Sequence, residues 1–135
     1  MKPLYLIACS NKKLDHPAKA RDLYQGQAFK FAMRVADRAN AEVWILSAEY
    51  GILRPEEEIA PYDRALCNMT KKERANWTRL TKALLKTINA QDREITVLAG
   101  AHYATAVEGF PNVRLPLKGL GIGQQLQTLK HLGER

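Results

Sequence analysis

The chain has 135 residues, a usual length for one domain and enough for a hydrophobic core without disulfides or a metal. Its 21 Lys and Arg against 14 Asp and Glu give a formal net charge of +7, which favours nucleic acid or a phosphorylated nucleotide as partner. Two cysteines are too few for a disulfide framework or a four-ligand zinc site. No apolar run approaches the ~18 residues of a membrane span, and the first residues do not form a signal peptide. We therefore expect a cytoplasmic protein without cofactor or metal.

The first predicted element is a buried strand from Leu4 to Ala8, because a short apolar run before a polar loop is typical of a parallel strand covered on both faces. An amphipathic helix is predicted from Gln27 to Ala39, and a second strand from Glu42 to Ala48. The region from Pro55 to Asn68 reads as a long irregular loop. Such loops are often functional, so we expect a site loop here.

A second helix is predicted to begin at the capping box Thr70 to Glu73 and to extend to about Asn89. Its periodicity predicts a core-facing stripe of Trp77, Leu80, Leu84 and Ile88. The outward positions are basic: Lys71, Lys72, Arg74, Arg79, Lys82 and Lys86. This face is either a solvated surface or a contact surface for nucleic acid, with Lys71, Lys82 and Lys86 as the candidate contacts.

The last third of the chain is predicted to hold a strand from Ile95 to Ala99, a short helix through about Val107, a short strand from Val113 to Pro116 and a final helix. Strands and helices therefore alternate along the whole sequence. This alternation predicts a single α/β domain, a three-layer Rossmann-like sandwich with a mostly parallel sheet of about four to five strands.

Small and polar residues follow three of the predicted strands, at Cys9-Ser10, Ser47-Ala48-Glu49 and Gly100-Ala101-His102. In a parallel sheet these strand ends share one edge, where open α/β proteins bind their ligands. The candidate substrate-binding residues near this edge are Ser10, Ser47, Tyr50, Tyr62, His102 and Tyr103. The two loop tyrosines, Tyr50 and Tyr62, would stack on a base or simply pack beneath the loops.

Three residues are candidates for catalysis. Asp63 lies beside an aromatic ring in the long loop and would act as a general base or position water, or else cap a turn. Lys13 would hold a phosphate or carboxylate, or is a surface charge. Cys9 would be a nucleophile if a nearby cation lowered its pKa, or is a small core residue at the end of its strand.

A glycine loop with Gly119, Gly121 and Gly123, followed by Gln124, precedes the last helix. Free amides at a helix N-terminus bind phosphate, so these residues are further candidates for substrate binding. The spacing differs from the dinucleotide fingerprint and from the P-loop, and a plain glycine turn is the alternative.

Six motifs in order resemble a family of small bacterial and phage proteins filed as a domain of unknown function. They are Cys9-Ser10-x-x-Lys13, Asp22-Leu23-Tyr24, Leu46-Ser47-Ala48-x-Tyr50-Gly51, Pro61-Tyr62-Asp63, Ala99-Gly100-x-x-Tyr103 and Leu117-x-Gly119-Leu120-Gly121-Ile122-Gly123-Gln124. The family is distantly similar to the YaaA peroxide-stress family. The resemblance implies a Rossmann-like sandwich and a link to DNA or to modified bases.

These observations lead to one principal hypothesis about function. We expect an enzyme that handles a modified or damaged base, nucleoside or nucleotide, with N-glycosidic bond cleavage of the DNA-glycosylase type as the leading reaction. The alternatives are a non-catalytic DNA- or RNA-binding stress-response protein and a nucleotide-sensing module.

Overall fold

A computed structural model describes residues 2–134. The strands are β1 (Leu4–Ala8), β2 (Ala18–Lys19), β3 (Glu42–Ser47), β4 (Gly51–Leu53), β5 (Glu58–Ile59), β6 (Ile95–Leu98) and β7 (Val113–Arg114). The α-helices are α1 (Ala20–Leu23), α2 (Gln27–Arg38), α3 (Lys71–Thr87), α4 (Ala101–Ala104) and α5 (Ile122–Gly133), with 3₁₀ turns at Leu66–Asn68, Ala90–Asp92 and Thr105–Val107. Across these described residues, no helix has both the length and the apolar character that crossing a membrane requires.

Five strands form one sheet in the order β4-β3-β1-β6-β7, and β2 pairs with β5 in a separate antiparallel ribbon. The central strand β1 is parallel to β3 and β6, and β7 is parallel to β6. Only β4 runs antiparallel in this sheet, along the edge of β3. The predicted mostly parallel α/β sandwich is confirmed, whereas β4 itself was expected to be a connection.

The sheet carries a hydrophobic core on each face, which explains the unbroken apolar run of β1. Ile7 packs on the side of α2 and α5, among residues such as Phe29 and Leu129. Leu4 and Leu6 pack on the opposite side, with Leu85 of α3. Successive side chains of a strand point to opposite faces, so a strand buried on both sides needs apolar residues at every position.

The predicted inward face of α3 is wrong in part. Leu80 is 51% exposed and Leu84 is 40% exposed. The buried positions are Trp77, Thr81 and Leu85, which follow one another at intervals of four residues. Leu80 and Leu84 have the same spacing but belong to the neighbouring stripe of the helix, and spacing alone does not distinguish the two stripes.

One hydrogen bond ties α3 to the carboxyl end of the sheet. The indole Nε1 of Trp77 donates to the carbonyl oxygen of Ser47 at 2.9 Å, at the end of β3. This bond holds Trp77 over the carboxyl end of the sheet, and the burial of Thr81 and Leu85 on the same side of α3 leaves Leu80 and Leu84 exposed. The partner of Trp77 is 30 residues away in sequence, which is beyond the reach of a local pattern.

The rotation of α3 can be tested with two alanine variants. We expect Leu85→Ala to lower the free energy of unfolding by about 2–5 kcal/mol, because it leaves a cavity in the core. Leu80→Ala, the matched variant one stripe away, should change it by only about 0.5 kcal/mol. Chemical denaturation measures both values, and equal losses would contradict the orientation of α3.

Candidate functional site

The carboxyl ends of β1 and β6 form the topological switch point of the sheet. After β1 the chain continues to α2, on one face of the sheet. After β6 it continues through α4 on the other face, the face that α3 covers. Chain segments that diverge from two neighbouring strands open a crevice between them, which is where α/β folds bind ligands. Cys9 follows β1 and Tyr103 lies in α4 after β6, and the Cys9 Sγ is 3.3 Å from the Tyr103 hydroxyl oxygen.

Three tyrosines, Tyr24, Tyr50 and Tyr62, gather at this carboxyl edge of the sheet and are called here the tyrosine cluster. The Tyr62 hydroxyl lies 2.7 Å from the Tyr24 hydroxyl and 2.9 Å from the Ser47 Oγ. The Tyr50 ring packs edge-on against Tyr62, with ring centroids 5.7 Å apart. The cluster therefore joins the loop after β3, the long loop and the segment that precedes α2.

Ser47 sets the direction of these hydrogen bonds. Its Oγ accepts the backbone N–H groups of Glu49 at 3.2 Å and Tyr50 at 3.0 Å. Two accepted bonds occupy both lone pairs, so the hydroxyl proton of Ser47 is left to donate to Tyr62. Ser47 is fully buried, and this arrangement satisfies its polar side chain completely.

Burial also determines the protonation of the cluster. Desolvation raises the pKa of Tyr24, which is 0% exposed, to about 12. Desolvation also raises the pKa of Tyr62 above its ordinary range, and the neighbouring Cys9 adds to the effect. The same cause, burial, raises the pKa of Tyr103. Tyrosine is protonated at neutral pH in any case, and the raised pKa values extend the protonated form into alkali, so these hydroxyls act through hydrogen bonds and not as bases.

Lys13 brings the positive charge to the cluster. Its ammonium nitrogen lies 4.4 Å from the centroid of the Tyr62 ring and 5.9 Å from that of Tyr24. Its backbone pairs with Tyr24 in an isolated β-bridge, which holds the loop after β1 against the end of α1. Tyr50 is 43% exposed, so the cluster presents a cation and an accessible aromatic ring together.

The structure thus brings together most of the predicted residues at the strand ends. They are Cys9, Lys13, Ser47, Tyr50, Tyr62 and Tyr103. Ser10 has a structural contact, because its Oγ accepts the Gly26 amide at the start of α2 at 2.9 Å. Asp63 follows Tyr62 and is exposed, and among residues 2–134 its carboxylate has no hydrogen bond or ion pair.

The glycine loop lies on the other side of α4. It borders a cleft of about 410 Å³ whose other walls include Ala101 and Ala104 of α4. The Gly121 amide donates to the Gln124 Oε1 at 3.2 Å, so Gln124 caps its own helix. Gly119, with φ of 78°, and Gly123 are exposed, as is His102. Among residues 2–134, no hydrogen bond or ring contact joins these residues to the tyrosine cluster.

Two residues at the site were missed by the sequence analysis. Tyr24 was quoted in a motif but was not assigned a role, although it is the buried partner of Tyr62. Trp77 was expected only in the core, whereas its ring also packs edge-on against Tyr103, 5.5 Å away. A usable signal for Tyr24 was its motif, Asp22-Leu23-Tyr24, and we find no comparable signal for Trp77.

The basic face of α3 is less continuous than predicted. Lys82 is partly buried and donates from its ammonium group to the Glu108 carbonyl oxygen. Lys71 and Lys86 are exposed near the two ends of the helix. In the part of the chain that the structure describes, no three His, Cys, Asp or Glu side chains gather to hold a metal ion.

The raised pKa of Tyr24 predicts how stability changes in alkali. Below pH 10.0, the ordinary pKa of tyrosine, folded and unfolded chains both keep the proton, so Tyr24 contributes no pH dependence. Between pH 10.0 and about 12 only the unfolded chain loses it, so the free energy of unfolding falls as pH rises, by up to about 1.4 kcal/mol per pH unit. Denaturation at a series of pH values should show a shallower fall in Tyr24→Phe. An identical fall in both proteins would contradict the burial of this hydroxyl.

Comparison with known proteins assigns the chain to a family. No curated protein and no solved structure matches it. A family model matches residues 4–131, which include all the strands and the whole tyrosine cluster. The expected membership of a domain-of-unknown-function family is confirmed, and the distant similarity to YaaA stays a prediction. The chain belongs to DUF6884, a family of unknown function.

Proposed function

We propose that the chain is an enzyme that acts on a base, nucleoside or nucleotide and cleaves its N-glycosidic bond in the manner of a DNA glycosylase. The observation that carries the proposal is the position of Lys13 over the Tyr62 ring, beside the half-exposed Tyr50, at the switch point of the sheet. An anionic ligand with an aromatic group suits this combination of a cation and an accessible ring. A nucleotide has both features.

Two residues would bind the ligand. The ammonium group of Lys13 would contact a phosphate, for which lysine acts as a point charge. The ring of Tyr50 would stack on the base, a contact worth about 1–3 kcal/mol per base. Because Ser47 accepts the Tyr50 amide and contacts the Tyr62 hydroxyl, the stacking ring and the ring beneath Lys13 are held in one fixed arrangement.

The hydrolysis itself needs one water molecule and one carboxylate. Water bonds to C1′ of the sugar as the bond from C1′ to the base nitrogen breaks. The base leaves with the bonding electrons and takes up a proton, while the attacking water loses one. Asp63, next in sequence to Tyr62 and exposed, would accept the proton of the water and stabilise positive charge on the sugar. Cys9 stays a candidate nucleophile beside Tyr103.

The test is release of free base, measured on nucleosides and on DNA oligonucleotides that carry modified or damaged bases. We expect Asp63→Asn to lower the rate by about 10²–10⁴-fold with the fold unchanged. Lys13→Gln should raise KM for phosphorylated substrates because it removes the anion contact. Asp92→Asn is the matched control, since Asp92 is also exposed but precedes β6 at the opposite edge of the sheet.

Two results would count against this assignment. Full activity in Asp63→Asn would remove Asp63 from the mechanism. Binding of nucleic acid without any base release, and without dependence on Lys13, Tyr62 or Asp63, would instead indicate the non-catalytic alternative.

A further inference from the structure

We propose that a groove along α2 holds the phosphodiester backbone of a nucleic acid, so that the base handled at the tyrosine cluster belongs to a polymer. The inference rests on the proposed function for the identity of the base, but the groove is formed by different residues. This α2 groove, of about 600 Å³, is lined by Arg21, Asp22, Phe29, Lys30, Met33, Arg34, Asp37 and Arg38.

The shape of the groove suits an extended anion. Phe29 and Met33 are 2% and 7% exposed and form its floor. Lys30, Arg34 and Arg38 follow one another every four residues, so their Cα atoms span about 12 Å along one side of the helix. Each strand of a duplex carries one phosphate per ~3.4 Å of helix axis. A row of three cations over this length can meet successive phosphates.

The charges of the groove are partly used and partly free. Arg21 pairs with Asp37 at 3.4 Å and with Glu56 at 3.5 Å, and the Arg38 guanidinium donates to the Gly133 carbonyl. The ammonium group of Lys30 has no hydrogen bond or ion pair within residues 2–134. Arg34 lies over the Phe31 ring, 5.5 Å from its centroid, and likewise has no ion pair among those residues. The lining holds four cations against two carboxylates, so its net charge favours an anion.

The groove adjoins the tyrosine cluster. Arg21 of α1 forms part of one wall of the groove. Tyr24 of the tyrosine cluster follows Arg21 by three residues in the chain. The first turn of α2, with Lys30 close behind it, is attached to the loop after β1 by the bond from the Gly26 amide to Ser10. A strand of nucleic acid lying along α2 would therefore lead towards Lys13.

The contacts favour α2 over α3 as the nucleic-acid surface. On α3 the exposed Leu80 and Leu84 interrupt the basic face, and Lys82 donates to a backbone carbonyl. The two exposed lysines that remain as candidates, Lys71 and Lys86, are about 22 Å apart along the helix axis. Lys72 and Arg79 are also exposed, but Lys72, Arg79 and Lys86 follow one another every seven residues, about 10 Å apart, against about 6 Å on α2, and Arg79 donates to the Asn76 Oδ1.

The experiment compares two double variants with the same change in charge. Fluorescence anisotropy measures the affinity of the full chain for a labelled single-stranded DNA oligonucleotide at several salt concentrations. Lys30→Glu with Arg34→Glu should weaken binding by about tenfold or more and lower the slope of log affinity against log salt by about 1.4, because each phosphate contact on a single strand contributes about 0.7. Lys71→Glu with Lys86→Glu should weaken binding less than about threefold, since any effect of net charge is common to both.

The outcomes separate the two proposals. Equal losses in both variants would show that only net charge matters and would overturn the α2 groove. Unchanged affinity in the α2 variant would also overturn it. If thermal melting shows that the charge reversal unfolds the chain, Lys30→Gln with Arg34→Gln replaces it. Affinity for the DNA is then expected to decrease as well.

Base release by the wild-type protein is measured on the same preparation. A selective loss of affinity in the α2 variant, without base release by the wild-type protein, would contradict the proposed function but support the α2 groove. Base release without a selective loss of affinity in the α2 variant would support the proposed function and contradict the α2 groove.

Discussion

Ser47 is the buried hydroxyl on which the arrangement of the site depends. It ends β3, and its Oγ holds the backbone of Glu49 and Tyr50 and contacts the Tyr62 hydroxyl. Its carbonyl accepts the indole N–H of Trp77 from α3. One residue therefore connects the turn into β4, the tyrosine cluster and the rotation of the longest helix. An apolar side chain here would leave the Glu49 and Tyr50 amides without this acceptor and the Tyr62 hydroxyl without this donor, and such a loss costs about 1–3 kcal/mol where the group is buried.

The site combines a rigid layer of buried, hydrogen-bonded side chains with accessible groups above it. The hydroxyls of Tyr24 and Tyr62 are protonated at neutral pH, and burial, which raises their pKa, keeps them protonated further into alkali, so they act there as hydrogen-bonding groups. Lys13 and Tyr50 lie above them and are the groups that a ligand can meet. Rigid support beneath a few accessible groups is the arrangement that positions a ligand with little loss of entropy on binding.

Local patterns in the sequence predict much of the fold. The helix from Gln27 to Arg38 was expected within one residue, because its apolar stripe has only one way to face the sheet. The capping box of Thr70 and Glu73 is present as expected, with both hydrogen bonds formed. The predicted strand ends do meet at one edge of the sheet. The short strands β2, β4 and β5 were missed, because two or three residues carry too little periodicity to be recognised.

The sequence by itself determined the alternation of strands and helices, the parallel sheet and the residues at its carboxyl edge, because these follow from hydrophobic period and turn chemistry. Only the tertiary structure decided which stripe of α3 is buried and which tyrosines are joined by hydrogen bonds. Tyr62 is 15 residues from Ser47 and 38 from Tyr24, and these hydrogen bonds depend on how the loops pack. Local periodicity contains no information about partners at such distances, so the site emerges only when the sheet is assembled.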